Sequence, residues 1–393
     1  MSALKTTDIG LIPCEWDCVL FNEVAELRHG HQFRSYDFTT DGLKVVKITQ
    51  IKRNGTINLS SCSFIESNRL EEFNDDIIYK GDILIALTGA TIGKIARYNS
   101  EEVVLQNYRV GNFFSKDENK LNRDYLFQFL RSNLFFHQIL ARQTQSAQQN
   151  IGKDEINNMD LFLPPLPEQK AIAKVLTVFD DKIELLQAQN KTLETMAQTI
   201  FKEWFGKYQI EDELPKGWRV GKLGDIAKHV KNNIKPFNNP NKLYHHYSLP
   251  AYDDGLRPVN ELGSDIKSNK YSVENNSFLV SKLNPFTPRI WTIFNSEDVN
   301  ICSTEFQVVK PNEDNLFSIV HCLLNSKYFT DNLSQKIKGT SSSHQRVNPE
   351  DIFEVDLVIP NKDDLIRFEK LVIPMITKKD INHNNIQSLT KTR

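Results

Sequence analysis

Leu161-Phe162-Leu163-Pro164 lies near the middle of this 393-residue chain, and Leu357-Val358-Ile359-Pro360 repeats its pattern near the C-terminus. Each tetrapeptide follows a polar, glutamine-containing loop with an apolar residue: Gln149-Asn150-Ile151 in the first case and Gln345-Arg346-Val347 in the second. Each is followed by a long segment with heptad spacing of apolar residues. The recurrence predicts two similar globular halves, each ended by a long helix.

Other segments recur in the same order. Ile12-Pro13-Cys14-Glu15-Trp16 begins the first half and Leu214-Pro215-Lys216-Gly217-Trp218 the second, and each places a rigid proline turn before a large apolar anchor. Runs typical of strands and then of helices follow: 80–86, 105–110 and 125–142 in the first half, and 276–281, 304–309 and 316–336 in the second. The sequence predicts an α+β fold with globular domains over 1–164 and 208–360 and long helices over 165–207 and 361–393.

The first long helix has clear boundaries and one continuous apolar seam. Residues 168–205 contain neither glycine nor proline, while Pro167 precedes the segment and Gly206 follows it, as helix ends prefer. At 1.5 Å per residue such a helix is roughly 55–60 Å long. Its predicted seam positions alternate in steps of four and three, which is typical of a coiled coil: Ile172, Leu176, Phe179, Ile183, Leu186, Asn190, Leu193, Ala197, Ile200 and Trp204. A polar seam residue such as Asn190 usually fixes register and partner at a cost in stability.

The second long helix keeps the same alternation with a less apolar seam. Lys379 and Asn382 occupy seam positions, and Pro374 interrupts the segment, so we expect a kink or a split there. The apolar seam positions are Leu365, Phe368, Val372, Met375, Ile386 and Leu389. The second helix is expected to be marginal alone and to be held by packing against the first.

Two such helices in one chain are most simply paired antiparallel. The two globular halves are then expected at opposite ends, related by an approximate twofold axis. The alternatives are that each helix packs on its own globular half or forms a homodimer.

Composition favours a binding protein of the cytoplasm. The net charge of −2 and a pI near 6.5 argue against gross electrostatic binding of nucleic acid but allow a local basic face. Five cysteines without a CxxC pair indicate reduced thiols. The N-terminus lacks an apolar signal core, and no stretch approaches the ~20 apolar residues of a membrane span.

Catalytic and metal-binding motifs are not recognisable. Gly89-Ala90-Thr91-Ile92-Gly93-Lys94 has too few residues between its glycines for a phosphate-binding loop and lacks the following Ser or Thr. The histidine pairs at 245–246 and 29–31 lack zinc-site spacing. We therefore expect no catalytic residue, no resident cofactor and no metal.

The segment Leu163-Pro164-Pro165-Leu166-Pro167-Glu168-Gln169-Lys170-Ala171-Ile172-Ala173-Lys174-Val175-Leu176 strongly resembles the central conserved region of type I restriction–modification specificity subunits, the HsdS family. Asp180-Asp181-Lys182-Ile183 and Thr199-Ile200-Phe201-Lys202-Glu203-Trp204-Phe205 extend that resemblance. Lys216-Gly217-Trp218 and the stretch from Gly339 to Val347 resemble recurrent segments of its target-recognition domains.

The resemblance implies a DNA specificity subunit. Residues 1–164 and 208–360 would be target-recognition domains that each read half of a split, asymmetric double-stranded site, with the helices over 165–207 and 361–393 as spacers. Two methyltransferase subunits, which use S-adenosylmethionine, would dock on the spacers, and restriction subunits that use ATP and magnesium would join them. Chains of this family usually continue past the second helix, so a chain extended beyond Arg393 is expected to melt at a higher temperature.

The residues predicted to contact DNA are polar or basic. Most lie in the two paired polar loops; Lys94, Lys282 and Arg289 follow strand–turns, and Arg28 and Arg34 belong to a basic cluster before the first long insert. Asn and Gln pair with adenine, whereas cations suit phosphate or guanine. The first half supplies Arg28, Arg34, Lys94, Gln143, Gln145, Gln148, Gln149 and Asn150; the second supplies Lys282, Arg289, Lys338, Ser341, Ser342, Ser343, His344, Gln345 and Arg346. The alternative for these loops is ordinary solvated surface.

Three other interpretations remain open from sequence. One is the specificity subunit of a related system in which methylase and nuclease are fused. The second is a coiled-coil scaffold that does not bind DNA. The third is a silent or recombined specificity cassette.

Overall fold

The computed structural model describes residues 3–7, 10–52, 54–142, 150–208, 210–337 and 345–393. The chain separates into two compact units, residues 1–182 with Arg393 (unit 1) and residues 183–392 (unit 2). Both units combine helices with strands, so the predicted α+β class is confirmed.

The described α-helices and β-strands that precede the first long helix all lie in unit 1. In chain order they are β1 (Leu4–Thr7), β2 (Gly10–Pro13), β3 (Asp17–Leu20), α1 (Phe21–Val24), β4 (Ala25–His29), β5 (Leu43–Val46), β6 (Ser63–Ile65), β7 (Ile77–Ile78), β8 (Ile83–Ala86), β9 (Ile95–Arg97), β10 (Val104–Gln106), β11 (Val110–Ser115), α2 (Arg123–Leu130), α3 (Asn133–Arg142), α4 (Lys153–Asn157) and β12 (Asp160–Leu163).

The first long helix, α5 (Leu166–Trp204), runs from unit 1 into unit 2. The later elements are β13 (Arg219–Lys222), α6 (Leu223–Ile226), β14 (Ala227–Val230), β15 (Asn233–Ile234), β16 (Leu243–Tyr247), α7 (Leu249–Asp253), β17 (Val259–Leu262), β18 (Lys270–Ser272), β19 (Ser277–Ser281), β20 (Ile290–Ile293), β21 (Asn300–Ser303), β22 (Phe306–Pro311), α8 (Phe317–Leu324), α9 (Lys327–Gln335), α10 (Pro349–Phe353), β23 (Asp356–Ile359) and α11 (Lys362–Thr392).

Sheet topology repeats between the two units. Unit 1 has an antiparallel sheet in the order β4-β11-β8-β9, and unit 2 has the equivalent sheet β14-β22-β19-β20. A second sheet in each unit contains one parallel pair, β5 with β10 in unit 1 and β16 with β21 in unit 2. The tetrapeptide strands β12 and β23 pair with β3 and β13, near the start of their own repeats. The sequence repeat is therefore a repeat of fold.

Each repeat covers its first sheet with a pair of helices. In unit 1, Phe113 of β11 lies edge-on to Phe135 of α3, with ring centroids 6.2 Å apart. In unit 2, Phe278 of β19 stacks on Phe317 of α8 at 4.7 Å. All four rings are buried. These contacts form the apolar core of each repeat.

The single helices predicted over 125–142 and 316–336 are wrong, because each is two helices. Serines cap the second helix of each pair: Ser132 Oγ accepts from the backbone N–H of Phe135, and Ser326 Oγ from that of Phe329. A serine that caps a new helix competes with continuation of the preceding one, which apolar spacing alone does not reveal.

The tryptophan near the start of each repeat contacts the first turn of the following long helix. The Nε1–H of Trp16 donates to Glu168 at 3.0 Å, and that of Trp218 donates to Asp364 at 3.0 Å. The tryptophan anchor that follows each proline turn thus contributes a hydrogen bond in addition to its apolar ring. Each hydrogen bond joins two residues of the same repeat.

Within unit 2, the second part of α5 pairs antiparallel with α11. Asn190 lies opposite Asn382, whose amide donates to the Oδ1 of Asn190 at 3.0 Å. Further along, the ring of Trp204 lies 5.8 Å from that of Phe368. The numbers rise along one helix as they fall along the other, so the predicted antiparallel pairing is confirmed here. Asn190 is not alone in the seam, because it pairs with the second polar seam residue.

An aromatic cluster stabilises one end of this helix pair. The fully buried Phe368 lies 6.2 Å from Phe201 and 4.8 Å from Phe205, in addition to Trp204. Every predicted seam residue of both helices is buried or half-buried. The seam prediction missed Ala173, Gln169 and Ile376, which are also buried.

Pro374 does not split α11, which is one helix from Lys362 to Thr392. Proline removes the hydrogen bond to the carbonyl four residues earlier. Both Pro374 and Lys370 are exposed, so the carbonyl of Lys370 can bond water instead. The split considered from sequence is therefore wrong.

Candidate nucleic-acid interface

Several predicted DNA-contacting segments meet at one end of the first sheet of unit 1. Strand β11 begins where β4 and β8 end, because Gly111 pairs with His29 and Val110 pairs with Ala86. The ends of both neighbouring strands therefore converge on the residues just before β11. Arg28 lies at this end of β4.

Hydrogen bonds fix the loops at this sheet end. Leu87, the residue after β8, donates its N–H to the carbonyl of Arg109 at 3.0 Å and accepts from the N–H of Ile151 at 3.1 Å. Thr88 forms an isolated antiparallel bridge with Asn150. We call residues 87–88, 109 and 150–151 the first corner.

Unit 2 repeats this geometry. Lys282, the residue after β19, donates its N–H to the carbonyl of Glu305 at 3.0 Å and accepts from the N–H of Val347 at 3.0 Å. Leu283 forms the isolated bridge with Arg346. We call residues 282–283, 305 and 346–347 the second corner. Equivalent backbone positions thus carry different side chains in the two repeats.

The described basic residues predicted in unit 1 differ in their surroundings. Arg28 is exposed, lies 4.3 Å from the centre of the Phe114 ring and pairs with Glu26 at 3.3 Å. The bond from Arg28 is the largest factor that lowers the pKa of Glu26. Arg34 is exposed beyond β4, and its N–H bonds to Asp37. Lys94 is half-buried at the start of β9, where its carbonyl accepts from Ala86.

The equivalent residues of unit 2 are more often paired with carboxylates. Arg289 binds Asp253 in a bidentate pair at 2.7 and 2.9 Å, and this hydrogen bonding raises the pKa of Arg289. Arg346 is exposed and pairs with Glu305 at 3.1 Å. Lys282 and Gln345 are half-buried, and the carbonyl of Gln345 accepts from Asn284. The pair with Asp253 makes Arg289 the least available of these cations for DNA.

The remaining predicted contact residues lie outside the described residues. They are Gln143, Gln145, Gln148 and Gln149 of the first repeat and Lys338, Ser341, Ser342, Ser343 and His344 of the second. Their proposed role remains a prediction. The described ends of these loops, Asn150 and Gln345-Arg346, lie at the corners.

Sequence reasoning missed Tyr108 and Arg109, which connect β10 to β11 at the first corner. Arg109 is exposed, and its Nε donates to the Tyr108 hydroxyl at 2.6 Å. His29 lies beside them, with Nδ1 3.2 Å from the Tyr108 carbonyl. The sequence does contain a signal, since Arg109 directly precedes β11 and Glu305 directly precedes β22. This signal indicates a shared site only when the pairing of β11 with β4 and β8 is known.

A buried polar cluster lies at the helix pair of unit 2, away from the predicted contact residues. Glu194 of α5 pairs with Lys379 of α11 and lies 3.2 Å from Nε2 of the buried His321. Burial raises the pKa of Glu194, but the bonds from His321 and Lys379 prevail and hold it well below the usual value. Burial lowers the pKa of His321, so a neutral ring that donates Nε2–H to Glu194 fits the geometry. This cluster supports helix pairing.

The described part of the chain offers neither a membrane-spanning helix nor a cluster of metal-binding side chains. No helix there has the length and apolar character that crossing a bilayer requires. No three His, Cys, Asp or Glu side chains among those residues are grouped as metal ligands.

Comparisons with known proteins give a consistent set of similarities. Residues 13–195 match the family described as type I restriction modification DNA specificity domain. The MjaIX specificity subunit of a type I restriction enzyme from Methanocaldococcus jannaschii is 25% identical over 432 residues, covering 99% of this chain and 93% of that protein. The MjaVIII specificity subunit from the same organism is 30% identical over 202 residues, covering 50% of this chain and 47% of that protein.

A solved structure has the same fold. The crystal structure of the S subunit of a type I restriction–modification system from M. genitalium superimposes with a TM-score of 0.58 at 15% identity, covering 96% of this chain and 93% of that one. At this identity the likeness is one of fold alone.

Proposed function

We infer that this chain belongs to the family of type I restriction–modification DNA specificity subunits, and we propose that it reads a split, asymmetric DNA site with one recognition domain for each half-site. Residues 1–164 and 208–360 are the proposed recognition domains, and 165–207 and 361–393 the spacers. The supporting observation is the repeated corner, which keeps its backbone hydrogen bonds while its side chains change. Two readers with one backbone and different side chains suit two different half-sites.

The proposed spacer has a suitable scale. At 1.5 Å per residue, the 39 residues of α5 span about 58 Å. Half-sites one helical turn apart lie about 34 Å apart on DNA. A stiff spacer makes the gap between half-sites part of the specificity, because a wrong gap allows one reader to bind and loses the tethered gain from the second.

We propose that this chain itself carries out no chemistry. Two methyltransferase subunits with S-adenosylmethionine would dock on the spacers, and restriction subunits with ATP and magnesium would complete the assembly. Family membership supports partnership with the other subunits of such a complex. Co-purification of the chain with separately encoded methylase and motor subunits tests this proposed assembly. Co-purification with one polypeptide that fuses methylase and nuclease would instead indicate the related type of system.

The decisive experiment is a methylome of cells that express this chain with its methyltransferase subunit. A split adenine-methylated motif is expected. A continuous motif would contradict two readers, and absence of DNA binding by the purified complex would favour a scaffold instead.

Single substitutions assign the half-sites. Gln149→Ala and Arg346→Ala are expected to weaken recognition of opposite halves of the motif, because they lie in equivalent loops of different repeats. Competition binding against single-base variants of the site measures this. Equal losses on every sequence from both substitutions would indicate phosphate contacts.

A further inference from the structure

Each corner carries one exposed arginine, but the two arginines come from different positions. In the first corner it is Arg109, the residue before β11, and in the second it is Arg346, on the loop that leads to α10. The position equivalent to Arg109 holds Glu305, and the position equivalent to Arg346 holds Asn150. The two repeats thus place a guanidinium group at equivalent corners. It comes from the residue before β11 in the first repeat and from the loop before α10 in the second.

The first arginine is oriented by an aromatic neighbour. Arg109 Nε donates to the Tyr108 hydroxyl at 2.6 Å, and the guanidinium carbon lies 5.2 Å from the centre of the Tyr108 ring. Among the described residues, no carboxylate pairs with Arg109. Relative to the described residues, its two terminal nitrogens are therefore available as a pair of donors, while the bond to Tyr108 restricts the side chain.

The second arginine is oriented by a carboxylate. Arg346 Nη2 donates to Glu305 Oε1 at 3.1 Å, and 53% of the Arg346 side chain is exposed. Only 28% of the Glu305 side chain is exposed. The more buried carboxylate therefore supports the more exposed guanidinium. Glu305, which occupies in the second corner the position of Arg109 in the first, thus orients Arg346.

We propose that Arg109 reads a guanine in the half-site of the first recognition domain and that Arg346, oriented by Glu305, reads a guanine in the other half-site. This inference rests on the proposed function. Arginine can donate two parallel hydrogen bonds to O6 and N7 of guanine in the major groove. A guanidinium already held by a neighbour loses less side-chain entropy on binding, which favours a fixed base contact over a loose phosphate contact.

The test for the first corner uses the complex with its methyltransferase. After the wild-type motif is known, Arg109→Gln and Arg109→Lys complexes are compared on the cognate site and on a set of single-base variants. Preference at one guanine of one half-site is expected to fall about 5- to 100-fold with Arg109→Gln, and the other half-site is unchanged. Arg109→Lys keeps the charge but not the paired geometry, so it also relaxes that position.

Lys116→Gln is the matched control for the loss of one exposed cation. Lys116 follows the other end of β11 and bonds to the carbonyl of Asn22, so its substitution should leave every base preference unchanged. A uniform loss on all sequences with Arg109→Gln, rescued by Arg109→Lys, would overturn the inference and assign Arg109 to phosphate.

For the second corner, Arg346→Gln should relax one guanine in the opposite half-site. Glu305→Gln removes the orienting charge while Arg346 remains, so it should reduce preference at the same guanine by a smaller factor. Lys228→Gln, an exposed cation on β14, is the control. If Arg346→Gln and Glu305→Gln changed the base preference at different positions of the site, the proposal that Glu305 orients Arg346 would be overturned.

The motif of the wild-type complex separates this inference from the proposed function. A split motif with no guanine-specific effect of either arginine defeats only the guanine assignment. A wild-type complex without a split motif defeats the proposed function and the inference with it.

Discussion

The two repeats attach their long helices by the same tryptophan contact and then differ at the next residue. After Glu168, which accepts from Trp16, comes the fully buried Gln169; after Asp364, which accepts from Trp218, comes the buried Leu365. Gln169 accepts from the N–H of Asn122 and donates to the carbonyls of Lys120 and Pro164, each at 2.8 Å. One buried position can therefore be polar or apolar, provided that a polar side chain satisfies its surroundings.

The largest expected difference in stability between the two repeats concerns the aromatic cluster around Phe368. Phe368→Ala should lower the free energy of unfolding by about 3–5 kcal/mol, because it opens a cavity among Phe201, Trp204 and Phe205. Urea denaturation of the full chain measures the loss. Ile172→Ala, at the equivalent but half-buried position of α5, should cost less, and equal costs would show that the two helices are packed alike.

Gln169→Leu is expected to have the next largest effect. It places the residue type of the second repeat in the first and leaves one N–H and two carbonyls without their partner, at a cost of about 2–4 kcal/mol. Leu365→Met keeps volume and polarity in unit 2 and should cost less than about 1.5 kcal/mol. A stabilised Gln169→Leu chain would contradict the role given to these hydrogen bonds.

The asparagine pair should show coupling. Asn190→Leu leaves the buried Asn382 amide without its 3.0 Å acceptor, and we expect a loss of about 1–3 kcal/mol. Asn190→Leu with Asn382→Leu should recover most of it, since both polar groups are removed together. Additive losses in this double-mutant cycle would mean that the two amides act independently.

The smallest expected effect is a pH dependence confined to the second repeat. His229 of β14 pairs with Val309, whereas the equivalent strand position of unit 1 is Leu27 opposite Phe113. Burial, with the charge of Lys231, lowers the pKa of His229 to about 4. Between about pH 6.5 and 4 the unfolded chain therefore binds the proton more strongly, and stability falls as pH falls.

His229→Leu should remove this contribution to the pH dependence. Denaturation at several pH values between about 4 and 7 measures it, with Leu27→Met as a control in unit 1. An unchanged slope in the His229→Leu chain would show that other groups cause the acid sensitivity.

The repeat, the α+β class and the helix seam could be predicted from sequence because each is encoded in local spacing or in recurring short segments. Gln169 could not be recognised as a core residue, because a buried glutamine depends on carbonyls and an amide supplied by other segments. The breaks at Ser132 and Ser326 were missed because apolar spacing continues across them.

The candidate interface was only partly predictable. Arg28, Lys94, Arg346 and the loop ends lie at or near the corners, and their contact with DNA stays a prediction. Arg109 was missed because its placement depends on the pairing of β11 with β4 and β8. The capture of Arg289 by Asp253 depends on a contact between residues 36 positions apart, which no short pattern contains.

Because each tryptophan contact closes within one repeat, the segment that joins a reader to its helix is structurally self-contained. A genetic exchange that replaced residues 1–168 or 208–364 together would carry its own attachment and leave the heptad seams almost intact. Such an exchange would replace one half-site and so create a new combination of half-sites in one event, without compensating changes elsewhere in the chain. Diversification of specificity would then proceed by shuffling as well as by point substitution.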